Sequence, residues 1–126
     1  MTTCQDEIGD CKPHFTLNER VFMPQHQPRP LRLGQASKWT LKGDGQFPHP
    51  FHIHVNPFQV ERQEPGPDGR MIQAMVWKDT IILGTTDPKP ITLKSRYRTF
   101  DGEFVIHCHI LSHEDRGMME RVRISK

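Results

Sequence analysis

An all-β fold, an antiparallel sandwich or barrel, is what this sequence predicts, and three observations carry the expectation. Eleven prolines and nine glycines are spread along 126 residues, which opposes long helices. Short runs rich in β-branched and aromatic residues lie between them, about ten residues apart with turn signals at their ends. Within the two runs that hold most of the histidines, apolar side chains recur at every second position, as on a strand with one buried face.

Residues 1–13 read as a tail, and residues 14–126 as a single domain. Strands are expected at 15–17, 31–33, 38–42, 51–55, 58–62, 75–83, 90–94, 103–109 and 119–124. Between the fifth and sixth of these, QEPGPDGR at 63–70 is a turn or loop, rich in Gly and Pro. Only residues 110–116 suggest a short helical turn. The length suits one core, and a hydrophobic content of 34% makes that core lean. Such a core fits a small sandwich or a domain that rests against a neighbour.

Seventeen basic and fifteen acidic residues leave a formal charge of +2. With no Lys/Arg cluster or aromatic stacking run, nucleic-acid binding is not expected. No apolar run approaches the roughly 20 residues of a membrane span. Residues 1–10 lack the apolar centre of a signal peptide, so the signal of an exported parent protein is expected upstream. Cys4 and Cys11, with six residues between them, are open to two readings, a local disulfide or two free thiols.

Histidine placement carries the most information. Six of eight histidines lie in the windows 49–54 and 107–113, while His14 and His26 are isolated and read as surface residues. Strand parity sorts the windows. Phe104, Ile106 and Cys108 share one face of a strand, and Val105, His107 and His109 the other. The bulkier apolar pair marks the first face as interior. By the same rule Phe51, Ile53 and Val55 face in and His52 and His54 face out, and parity carried back to His49 places it inside.

The inner set is His49 and Cys108, followed by His113 and Met118 at intervals of five residues. One thiolate, two imidazoles and a thioether have the composition of a blue-copper electron-transfer site. Structural zinc is the competing reading, but it prefers two to four cysteines and has no use for Met118. The outer set, His52, His54, His107 and His109, puts four imidazoles on one patch, and imidazole suits copper well. Facing outward, that patch is expected to be completed by a neighbouring subunit or domain.

HPFHIH at 49–54 and HCHILSHEDRGMM at 107–119 resemble the two copper motifs in the C-terminal domain of multicopper oxidases, and the likeness to bacterial laccase-like members is close. FTLN at 15–18, the 33–41 stretch and WKDT at 77–80 are similar too, so the resemblance runs from about residue 15 to 125. It implies a Greek-key β sandwich or barrel of the cupredoxin type. It also implies copper as cofactor: a type 1 site at His49, Cys108, His113 and axial Met118, and shared type 2 and type 3 sites. His52 matches a type 2 ligand, and His54, His107 and His109 match type 3 ligands. In the family a reducing substrate gives electrons singly to the type 1 copper. They pass through Cys108 and its neighbours His107 and His109 to a three-copper cluster, where dioxygen becomes water.

Glu114 matches a carboxylate that bacterial laccase-like enzymes use near the oxygen path, and a catalytic acid–base role is implied for it; the alternative is a solvated surface glutamate. Asp79 is a candidate support behind the copper loops. Met71 and Met75 read as core or loop methionines rather than as a soft-metal patch. One departure matters. The family's cluster takes eight histidines, four from another domain, and this chain carries no second set. The implied partners are therefore N-terminal cupredoxin domains of the same oxidase or of another subunit, a small-molecule or metal-ion reductant, and dioxygen. The parent enzyme is expected in the periplasm or outside the cell. A stand-alone blue-copper carrier is the alternative function, and it has no need of the outer histidines. A cluster assembled from two copies is a weaker third reading.

Overall fold

The computed structural model describes residues 15–43, 47–84 and 89–126. The expected tail, with Cys4 and Cys11, lies outside them, as does His14. Among these residues nine strands and one helical turn follow in chain order: β1 Arg29–Arg32, β2 Ala36–Leu41, β3 His49–Ile53, β4 Phe58–Pro65, β5 Met71–Lys78, β6 Thr80–Leu83, β7 Ile91–Arg96, β8 Gly102–Cys108, α1 Leu111–Glu114 and β9 Met119–Ser125. They form two sheets, β1-β9-β8-β3-β6 and β2-β7-β4-β5. All pairings are antiparallel except β1 with β9. The expected two-layer β architecture is therefore present.

Several boundaries differ from the sequence reading, each for a local reason. The run expected at 75–83 is two strands, because the chain changes sheet at Asp79, leaving β5 in one layer and β6 in the other. Residues 15–17 form no strand. Leu17 instead bridges Arg20 around a tight turn, with Asn18 and Glu19 at φ 51° and 64°. β4 runs on to Pro65, and the turn behind it is held by Gly66 N–H to Arg70 C=O at 2.7 Å, with Gly69 at φ 78°. β3 starts at His49 in spite of its flanking prolines, and the carbonyl of Pro50 accepts the N–H of His109 at 2.7 Å.

Phe51, Ile53, Phe58, Val60, Leu93, Tyr97, Phe104, Ile106, Val122 and Ile124 make the buried core between the sheets. They come from β3, β4, β7, β8 and β9, with Tyr97 directly after β7, so the two layers are held by one apolar seam. Each such large side chain contributes on the order of 1.5–3 kcal/mol by leaving water. The buried Ser95 hydroxyl is matched by the indole N–H of Trp39 at 3.2 Å, which avoids an unpaired polar atom in the seam.

Register then positions the histidine windows. β3 and β8 lie side by side, with Phe51 opposite Cys108, His52 opposite His107 and Ile53 opposite Ile106. Directly opposed residues of an antiparallel pair share a face. Cys108 therefore points into the seam beside Phe51, while His52 and His107 stand together on the other face.

Candidate metal centres

The inner group is compact. Cys108 Sγ lies 3.8 Å from His49 Nδ1 and 3.6 Å from His113 Nδ1, and the two nitrogens are 3.3 Å apart. His49 and Cys108 are buried, and His113 is half-buried. Two strands and a loop bring them together: His49 opens β3, Cys108 ends β8, and His113 sits in α1. The loop is tightly tied. Gly117 N–H reaches Glu114 C=O at 2.9 Å, and Met118 N–H reaches His113 C=O at 3.0 Å. These are the paired bonds of a Schellman end, with Gly117 at φ 96° in the left-handed position that favours glycine. Met118 is then clipped to the end of β8, its carbonyl accepting the N–H of Cys108 at 3.1 Å. It lines the same groove as His49 and Phe51.

Burial pushes the Cys108 thiol above its usual range, and the Glu114 carboxylate adds to this, while the backbone of Ile110 works the other way. The sulfur is thus a thiol near neutrality, and a metal that takes it as thiolate must displace a proton. One thiol, two imidazoles presenting Nδ1 and a nearby thioether suit copper better than a structural zinc, which favours several cysteines.

The outer group lies on the opposite face of the same strand pair. His52, His54 and His107 bring ligand nitrogens within 4.8 Å of one another, and His54 Nε2 is 3.0 Å from His107 Nε2. His109 stands at the rim, exposed, its ring 5.4 Å from that of His52 and 5.5 Å from that of His107. The expectation of four surface imidazoles needs one correction. His107 is buried, because α1 folds back over it and sets Glu114 Oε2 at 3.3 Å from its Nδ1.

The ring orientations are set from behind. His52 Nδ1 lies 3.0 Å from the Asp79 carbonyl, which can only accept, so Nδ1 carries the proton and Nε2 keeps its lone pair. The Thr80 hydroxyl, also 3.0 Å from Nδ1, turns its own proton to Asp79 Oδ1 at 3.1 Å. His107 Nδ1 is held in the same sense by the Cys108 carbonyl at 3.1 Å. Desolvation, with the neighbouring His107 and His52 rings adding to it, lowers the pKa of His54 below the ordinary imidazole value of 6.5. Neutral imidazole is the form that ligates metals.

Asp79, a candidate support by sequence, touches His52 through its backbone carbonyl, together with the Thr80 hydroxyl. Thr80 belongs to the WKDT stretch of the resemblance, but nothing in the sequence marks it as a contact of His52. Phe15, whose ring is stacked on His113 at 3.7 Å between centroids, also went unread as part of the site. His26 is exposed, and Met71 and Met75 are exposed on β5 rather than in the core.

The chain is similar to known proteins over nearly its whole length. A family model described as multicopper oxidase matches residues 2–126. The chain is 32% identical over 124 residues to a bilirubin oxidase of Albifimbria verrucaria, covering 94% of this chain and 21% of that protein. It is 33% identical over 108 residues to a laccase of Haloferax volcanii, covering 82% and 18%. Among solved structures, a multicopper oxidase from Campylobacter jejuni, described as a metallo-oxidase, superposes with a TM-score of 0.72 at 26% identity, over 88% of this chain and 23% of that one. The chain thus spans about a fifth of the length of these relatives, and its sandwich is of the cupredoxin type. With nearly its whole length matched, the chain belongs to the multicopper oxidase family.

Proposed function

We propose that this chain is the copper-binding C-terminal domain of a laccase-like oxidase, holding one copper in full and sharing a three-copper cluster with another domain. His49, Cys108, His113 and Met118 would hold the type 1 copper; His52 the type 2 copper; His54, His107 and His109 the type 3 pair. Copper, when bound, supplies the one-electron chemistry that links a reducing substrate to dioxygen. The observation that carries the reading is the back-to-back placement of two convergent donor groups on one strand pair. His107, Cys108 and His109 are consecutive, so a continuous backbone joins the two groups, and the His107 Nδ1 contact to the Cys108 carbonyl stiffens the junction.

The residues around the donors have distinct tasks. Asp79 and Thr80 fix the tautomer of His52 and so aim Nε2 at the cluster. Glu114, half-buried and 3.3 Å from His107 Nδ1, is placed to hold a proton beside the cluster. Reduction of dioxygen to water consumes protons, which gives that carboxylate its acid–base role. Sandwich packing behind His49 and Cys108 keeps water from the thiolate. A stand-alone blue-copper carrier gains no support from the comparisons and leaves the outer imidazoles without a task.

The partner in this reading is an N-terminal cupredoxin domain, of the same oxidase or of another subunit, bringing the missing histidines. A small-molecule or metal-ion reductant and dioxygen complete the reaction, and the parent enzyme works in the periplasm or outside the cell. Among the described residues no helix is long and apolar enough to cross a membrane. The test is oxygen consumption with an electron-donating phenol. The copper-loaded monomer should be blue and reducible yet sustain no turnover, and adding the missing copper domain should restore it. Robust consumption by the verified monomer would refute the shared-cluster reading.

A further inference from the structure

The segment before β1 is bound to the metal loop at both of its ends. Phe15 N–H reaches Arg116 C=O at 3.4 Å, and Phe22 N–H reaches Gly117 C=O at 2.9 Å. Between these points the chain reverses through the left-handed pair Asn18 and Glu19. The fit leaves no slack, since a Cβ on Gly117 would collide with the Val21 side chain. At the first tie the Phe15 ring lies flat on the His113 imidazole, with 3.7 Å between centroids and 17° between planes. Nδ1 of that imidazole faces Cys108 Sγ and His49 Nδ1.

We propose that Phe15 is a positioning residue for the inner copper, holding the His113 ring in its ligating orientation and favouring the oxidised over the reduced metal. This rests on His113 being a ligand of that copper. Two physical effects act together. A flat stack restricts rotation of His113 about its side-chain bonds, so less freedom is lost when metal binds. The face of a benzene ring is also electron-rich. An imidazole bound to Cu²⁺ carries more positive charge than one bound to Cu⁺, so the stack favours Cu²⁺. The 15–22 turn is therefore more than a cover for the sandwich end, because it reaches the electronic environment of a ligand.

The full chain is loaded with copper and the thiolate–copper absorption band is titrated against potential, in wild type, Phe15→Leu, Phe15→Ala and Phe15→Tyr. The position of that titration reads the ratio of Cu²⁺ to Cu⁺ affinity at the inner site alone. Phe15→Leu and Phe15→Ala should move the ratio toward Cu⁺ by about threefold, with about tenfold as the ceiling set by the whole energy of an aromatic pair. Phe15→Tyr should restore it to within about twofold of wild type. An unchanged ratio in a folded Leu or Ala variant overturns the proposal. So does loss of the fold in both metal-free non-aromatic variants, which marks a purely structural role. Cys108→Ser, run alongside, separates the two levels of the argument. If wild type shows no band, or if Cys108→Ser keeps it, the inner copper assignment itself falls and the role of Phe15 with it.

Discussion

The two donor groups share a strand pair but differ in almost every physical respect. The inner group is built from one thiol and two imidazoles under the sandwich seam, tied by a capped turn, and nearly closed within this chain. The outer group has only imidazoles, two of them exposed, and His109 stands at its rim. The contrast teaches that burial and completeness go together here. In the proposed reading, the site that holds one geometry in two oxidation states is the one enclosed by its own fold. The site that admits dioxygen and a second set of ligands is, in the same reading, the one left open along one side.

The largest way to break this contrast is Cys108→Ser. Intense blue absorption needs a copper–thiolate bond, so it should vanish entirely, while the outer histidines keep their capacity for metal. Visible spectra and copper content per chain check both halves together. If strong blue colour survives, the thiolate assignment is wrong.

A smaller effect is expected from Thr80→Val, which removes one of the two contacts that orient His52 and leaves the inner group untouched. Loss of such supporting contacts typically costs about 10- to 100-fold in metal affinity. Since the Asp79 carbonyl remains, the lower end, about tenfold, is expected at the outer group. Competition with a copper chelator measures it, and an equal weakening of the blue site would show that the two groups are not separable in this way.

The smallest effect sharpens the comparison through the backbone. Val55, directly after His54, has φ 77°, and Asn56 N–H bonds back to His54 C=O at 3.0 Å. A β-branched residue in this tight turn is strained, by roughly 1–3 kcal/mol. Val55→Gly relieves the strain but raises the freedom of the unfolded chain. The net expectation is a gain of about 1 kcal/mol in stability, with looser aim of His54 and an unchanged inner group. Chemical denaturation reports the stability, and a destabilised variant would show that the side chain matters more than the turn.

How much of this was legible in the sequence depended on periodicity. Inner and outer sorting of His49, His52, Cys108 and His107 followed from the two-residue repeat, because a strand leaves no third direction for a side chain. Most strands were found within one or two residues of their bounds. What escaped was set by tertiary contact. Asp79 stands between Lys78 and Thr80 inside the run 75–83 and reads as mid-strand, yet the chain changes layers there. His107 reads as outward, and only the return of α1 buries it. Val55 belongs by type in an extended run, and nothing local announces its left-handed turn. Phe15 was legible as an aromatic in a short run, but its partner lies 98 positions away in the chain, beyond any local pattern.

That distance has a consequence for how the molecule assembles. β1 pairs in parallel with β9, Pro30 opposite Arg123, and the 15–22 turn closes on the loop at 116–117. Contacts between such remote segments are gained only after a long loop has been closed, and sheets rich in them fold slowly, on the order of milliseconds to seconds. The β4–β5 hairpin has only a short turn to close and is free to form early. The inner metal seat stays incomplete until the 15–22 turn has met the loop at 116–117. A copper ion arriving before that closure meets separate donors, and one arriving after it meets a finished cradle. Copper that needs the finished cradle would then bind tightly only once these segments have met, which would couple metal capture to their closure.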